Sequence, residues 1–240
     1  MRKFFSNLTL FFIGLITILV IACSKDGSGT ITPDVFAKTM LVNAADTSAL
    51  DFYVNGTKQN TTSAAYTTNT PYYDVKLTPG QKTTVSVKSS TTALSFADSI
   101  LMNEKVGYSF FVYRDSNSTK KPLYKISTDD LSVPGPGKAK IRVAQFVNDI
   151  VTYNLDIQTV ASGGTATATN DLSNLRFKDI SNFVEVDKGT KDIKIKISGT
   201  TNLVTTISSV SLVEGKIYTI VLQGSANKAN ALKTNIITNL

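Results

Sequence analysis

The chain has 240 residues, 42% hydrophobic and 18% charged, with 25 Lys and Arg against 18 Asp and Glu and a net charge of +7. That apolar share is too high for a disordered chain, and the length suits one large or two modest domains. With no His, no Trp and one Cys, histidine-based catalytic triads, HExxH metal sites, zinc fingers and internal disulfides are excluded.

The first element is a targeting segment. Arg2 and Lys3 open it, and an apolar run from Phe4 to Ala22 follows, broken only by Ser6, Asn7, Thr9 and Thr17. It ends in Val20-Ile21-Ala22-Cys23, which fits the lipobox of bacterial lipoproteins. This predicts a cleaved signal peptide over 1–22 and acylation of Cys23; the alternative is an uncleaved anchor helix. Stable attachment normally takes more than one acyl chain, which a triacylated Cys supplies. Residues 23–33 then form a lipidated, flexible tether, with the small polar run Ser24-Lys25-Asp26-Gly27-Ser28-Gly29-Thr30. Ser after Cys23, and the Ser-Lys-Asp start, resemble sorting signals for the outer membrane, and an exterior-facing position is the expectation.

Beyond the tether, short alternating runs recur between Gly, Pro, Asn and Asp, which is the all-β pattern. In Ile193-Lys194-Ile195-Lys196-Ile197 three Ile face a core and two Lys face solvent, as in a half-buried antiparallel strand.

The chain also repeats itself. Thr39-Met40-Leu41-Val42-Asn43-Ala44 resembles Lys140-Ile141-Arg142-Val143-Ala144-Gln145, and Leu50-Asp51-Phe52-Tyr53-Val54 resembles Tyr153-Asn154-Leu155-Asp156-Ile157. Val75 to Gly80 matches Val184 to Gly189, Asn103 to Phe110 matches Val213 to Ile220, and Leu123 to Ile126 resembles Leu232 to Ile236. Tyr108 and Tyr218 are 110 positions apart. These correspondences predict two tandem immunoglobulin-like antiparallel β-sandwiches, over 34–131 and 138–240, with the Pro- and Gly-bearing stretch 132–137 as linker. A single large barrel is the competing architecture.

Phe52, Val85, Val87, Phe110 and Val112 are expected to line the first core. Leu155, Ile157, Ile193, Ile195, Ile197, Ile220 and Leu222 are expected to line the second. Tyr108 and Tyr218, each entering a strand after a turn, are expected to bury their rings and bond backbone through their hydroxyls at a sandwich corner.

At this point the residues resemble the bacterial domain-of-unknown-function family 4397. The resemblance rests on Lys138-Ala139-Lys140-Ile141-Arg142-Val143, on Asp51-Phe52-Tyr53-Val54-Asn55-Gly56 and on Gly215-Lys216-Ile217-Tyr218-Thr219-Ile220. It covers nearly all of 36–240. It implies immunoglobulin-like modules of cell-envelope proteins, no enzymatic activity and no defined molecular role.

Little chemistry is legible. Two carboxylates could serve glycoside hydrolysis, but the acids lie beside turns and on polar strand faces, so no enzyme and no cofactor is expected. Asp129-Asp130 reads as a solvated turn, with weak calcium binding as the alternative. The basic residues are dispersed, which argues against nucleic acid. Tyr66, Tyr72 and Tyr73, in a Thr- and Asn-rich stretch, are the one candidate aromatic platform for a sugar; the competing reading packs Tyr72 or Tyr73 inward. Asp98-Ser99-Ile100 fits a short acceptor pattern for O-linked glycans, at Ser99. The expected function is a non-enzymatic, lipid-anchored structural, adhesion or protein-interaction module, with an accessory glycan-binding lipoprotein as the alternative. Its expected partners are the membrane, through the lipid on Cys23, and surface proteins or glycans.

Overall fold

A computed structural model describes residues 34–46, 48–89, 95–115, 122–150, 152–167, 169–226 and 232–239. The expected signal peptide, Cys23 and the expected tether fall outside these residues. The first half contributes β1 (Val35–Asn43), β2 (Leu50–Val54), β3 (Thr57–Lys58), β4 (Thr68–Asn69), β5 (Tyr73–Leu77), β6 (Thr83–Ser89), β7 (Ser95–Ile100), β8 (Gly107–Arg114) and β9 (Pro122–Asp129). The second contributes β10 (Lys138–Val147), β11 (Leu155–Ala161), β12 (Leu172–Leu175), β13 (Val184–Asp187), β14 (Gly189–Ile197), β15 (Leu203–Leu212), β16 (Ile217–Gly224) and β17 (Leu232–Thr238).

Each half is a two-sheet sandwich. In the first, β4-β1-β8-β9, with β5 also on β1, faces β3-β2-β6-β7; in the second, β13-β10-β16-β17 faces β12-β11-β14-β15. The all-β fold is as expected, and among the described residues no sheet closes into a barrel. One expectation changes: the sheets are mixed. β1 pairs β8 in parallel, and β10 pairs β16 in parallel. The opening strand of each half lies beside the penultimate one after the chain has crossed between sheets, so the two run the same way.

The cores follow from alternation. Leu41, Phe52, Val85, Val87, Phe110 and Val112 fill the first; Leu155, Ile157, Ile193, Ile195, Ile220 and Leu222 fill the second. Ile197, expected among them, is only half-buried at the end of β14. Asn55 and Gly56 both take positive φ between β2 and β3, the two-residue hairpin turn that an Asn-Gly pair favours.

Pairing registers correct the sequence alignment of the opening strands. Lys38 lies opposite Gly107 on β8, and Lys140 lies opposite Ile217 on β16, 110 positions further on. Lys38 therefore corresponds to Lys140, and Met40 to Arg142. Matching Leu41 to Arg142 is a slip of one residue, which exchanges the two faces of a strand. Leu41 points into its own sandwich, while Met40 and Arg142 point out of theirs.

Those outward faces are not wet. Met40, Val42, Ala44, Phe111 and Tyr113 of the first half form one buried cluster with Ala144, Phe146, Val221 and Ile237 of the second. The two central sheets therefore pack face to face, and residues 34–240 form one compact unit. β8 and β16 are buried on both sides, which is why they read as continuous apolar runs rather than alternating ones.

Candidate functional site

The most elaborate side-chain arrangement lies in this contact. Arg142, midway along β10, is enclosed on all sides. Its Nη1 donates to Asp129 Oδ1 at 2.5 Å, with side-chain exposures of 1% and 0%. Its Nε donates to Thr219 Oγ1 at 2.8 Å and its Nη2 to Ser109 Oγ at 2.9 Å. The guanidinium lies 4.5 Å from the Phe183 ring centre and 5.5 Å from that of Phe111, a geometry that favours a desolvated cation. Asp129 Oδ2 accepts from Ser109 Oγ at 2.6 Å and from the Tyr72 hydroxyl at 2.5 Å. Asn239 closes the ring: Nδ2 donates to the Tyr72 hydroxyl and Oδ1 accepts from Thr219 Oγ1. Ser109 and Thr219, and Asp129 and Asn239, are each 110 positions apart. Corresponding positions of the two halves thus build one network around a single buried ion pair. Asp129 is no solvated turn residue, as its sequence context suggested.

The tyrosines expected to form a sugar platform go to different places. Tyr72 packs between the two halves, where burial first and the Asp129 carboxylate second push its phenol well above the usual range. Tyr73, next on the chain, turns into the first core. Tyr66 is half-buried, its phenol raised by burial and by Asp46. They share no common surface. Ser99 stands exposed on β7 with Oγ 3.1 Å from Thr84 Oγ1, while Asp98 turns inward and accepts from the Tyr124 hydroxyl at 3.0 Å. A shallow apolar dent lies there between β7 and β9, lined by Val85, Phe96, Phe110 and Tyr124 beside Asp98.

Tyr108 and Tyr218 hold sandwich corners. Each ring is buried, and each hydroxyl accepts a backbone N–H, from Asn103 at 2.9 Å and from Val213 at 3.0 Å.

Sequence reasoning placed Lys196 on a solvated face, and it is almost wholly buried. Residues 162–167 and 169–171 fold across the outer face of the β11–β14 sheet and cover the lysine. Lys196 Nζ donates to Thr167 O at 2.8 Å, and Asn170 Nδ2 to Asp156 Oδ2 at 3.0 Å. Gln158 bonds both Thr167 and Thr169. Burial alone would raise the Asp156 carboxyl. N–H bonds from Asn174 and Gly199, with Ser198 and Lys196 nearby, hold it below its ordinary value.

One outer edge of each sheet is guarded. Asp98 is an inward charge on β7; β15 carries two register shifts, with Ser209 at φ 57° over Asp192. β9 begins with Pro122, and β17 carries Lys233. Inward charges, bulges, prolines and lysines all discourage strand addition. The linker is tied down as well. The Gly135 amide donates to Glu185, the Gly137 amide to Glu214, and Lys140 Nζ to Asp130 and Ser132. Among the described residues no group of three or more Cys, Asp or Glu is placed to hold a metal ion, and no helix is long and apolar enough to cross a membrane.

Fold and contacts together make this an all-β protein of two immunoglobulin-like sandwiches joined by a buried polar network. The chain belongs to the family described as Domain of unknown function (DUF4397), whose match covers residues 37–158. That match runs from β1 through the linker to β11, across the contact just described. No curated protein matches the chain.

Proposed function

We propose that the chain is a non-enzymatic, lipid-anchored protein of the cell envelope, held at the outer membrane by acylated Cys23. Its task is structural: a rigid module for adhesion, spacing or protein interaction. The observation that carries this reading is the Arg142–Asp129 network, which makes one body of two sandwiches. A buried ion pair satisfied on every side fixes a geometry rather than leaving a reactive group free. The other well-bonded acids, Asp156, Asp192 and Glu214, accept backbone N–H groups and support turns and bulges. Guards on β7, β9, β15 and β17 direct a partner to sheet faces, loops and the remaining edges. Lysines engaged in ion pairs with Asp74, Asp187 and Glu214 offer no continuous track for nucleic acid.

The test is metabolic labelling with palmitate, in the wild type and in Cys23→Ala, combined with protease shaving of intact cells. Label on the wild type alone, with cleavage of intact cells, supports the reading. An unlabelled wild type overturns the anchor. The glycan-binding alternative rests on a surface aromatic hydrogen-bonded to a carboxylate, Tyr124 beside Asp98. A glycan array that registers binding lost in Tyr124→Ala would favour it. Intact mass tests the O-glycan at Ser99, an exposed hydroxyl whose modification would also shield the β7 edge.

A further inference from the structure

The two sandwiches lie side by side with their strand ends in common. In the first, the turn 101–106 abuts the start of β1: the Lys105 amide donates to Phe36 O and the Lys38 amide to Val106 O. β9 ends at the same level, with Asp129 opposite Gly107. In the second, the equivalent turn 213–216 abuts the start of β10 through Gly215 N to Lys138 O and Lys140 N to Lys216 O. The bonds from Lys140 to Asp130 and Ser132 bring these two ends together. Asp34, where the chain enters the body from the tether, sits at this same end and pairs with Lys76 at 2.7 Å.

Four large apolar side chains are exposed here: Phe36 (43%), Leu101 (58%), Val133 (78%) and Val213 (51%). Leu101 and Val213 belong to corresponding turns, one from each sandwich, and Val133 lies in the linker between them. Apolar side chains gathered at one end of a body mark a surface for another apolar phase. Charge there is nearly balanced, since Lys76, Lys105 and Lys188 pair with Asp34, Glu104 and Glu214, and exposed Lys216 in the turn 213–216 is offset by Glu185, which accepts from the Gly135 amide.

We propose that this end is a membrane-apposed face, and that Phe36, Leu101, Val133 and Val213 dip into the lipid interface beneath the anchor. The inference rests on acylation of Cys23. Fully extended, the eleven residues from Cys23 to Pro33 reach at most about 40 Å, so the end bearing Asp34 is always within reach of the bilayer. The acyl chains supply attachment, and the four side chains supply orientation: the body stands on this end with its strands rising from the surface. Because the charges cancel locally, contact depends on the apolar groups and changes little with the content of anionic lipid.

The experiment uses the full-length acylated protein in phosphatidylethanolamine vesicles with and without phosphatidylglycerol. Acylation blocks Cys23, so Leu101→Cys, Val213→Cys and Leu203→Cys each offer one thiol for an environment-sensitive fluorophore. Leu203 is also exposed but lies at the opposite end, paired with Lys196 near the end of β14. Labels at 101 and 213 should shift to the blue and be quenched several-fold more by spin-labelled lipid than the label at 203, in both lipid mixtures. Three equally wet labels on protein that floats with the vesicles would overturn the inference and leave the anchor standing. Protein that does not float, or a wild type that itself takes the label, would overturn the anchor instead. Labels protected in whole envelopes but wet in vesicles would assign the face to a protein partner and also overturn the inference.

Discussion

Arg142 of β10 and Asp129 at the end of β9 form an ion pair sealed from water, although they belong to different sandwiches. Removing one member of such a pair leaves the other buried and uncompensated, a loss of about 3–5 kcal/mol. Arg142→Met should lower stability by that order in a soluble form that starts after Cys23. The double variant Arg142→Met, Asp129→Leu should recover a large part of it. Urea unfolding of the set measures both effects; a single variant within experimental error of wild type would remove the pair from the account.

The two corner tyrosines offer a matched comparison. Tyr108→Phe and Tyr218→Phe each delete one acceptor and leave the Asn103 or Val213 amide unbonded. Each should cost about 1–3 kcal/mol if the amide stays dry, less if water reaches it. Hydrogen exchange should show the Asn103 amide loosened only by the first substitution and the Val213 amide only by the second.

Acid should weaken the linker contact in a defined window. The bond from Lys140 Nζ, and then those from Ser132, hold the Asp130 carboxyl down to about 2, from an ordinary 3.8. A carboxylate depressed in the folded state contributes stability that is complete above its unfolded pKa. That contribution is lost as pH falls from about 4 to about 2. Asp156 and Asp192 are shifted in the same direction. Stability should therefore be level from neutral pH to about 5 and decline below about 4, and Lys140→Met should flatten part of the decline. Thermal unfolding across that range measures it.

On β7, Asp98→Val should turn a guarded edge into an adhesive one. It removes the inward charge and the bond to Tyr124 while improving the strand pattern. Sedimentation should show self-association of the variant at concentrations where the wild type is monodisperse.

Much of this fold was legible because alternation and turn chemistry are local. The core positions of β2 and β6, those of β14 except Ile197, and the corner tyrosines all follow from spacing within a dozen residues. The site was less legible because it depends on packing between sheets. Arg142 stands in Lys140-Ile141-Arg142-Val143-Ala144-Gln145-Phe146, a run too apolar for a strand with one wet face. The run Tyr108-Ser109-Phe110-Phe111-Val112-Tyr113 carries the same signal. Together they mark two central sheets covered on both sides, and a lone Arg in such a run needs a buried partner. Lys196 was misplaced for a different reason: alternation assigns a face, but not whether another segment crosses it. Tyr72 and Tyr73 show the same limit, since adjacent residues on β5 and its approach serve two separate interiors.

The two sandwiches are one mechanical body. Native-state hydrogen exchange in rising urea reads this out by comparing core amides of β1 and β6 with those of β10 and β14. Both sets should converge on a single opening free energy and a single dependence on urea, and Arg142→Met should make them diverge. Wild-type cores that open with separate energies and separate urea slopes would contradict it.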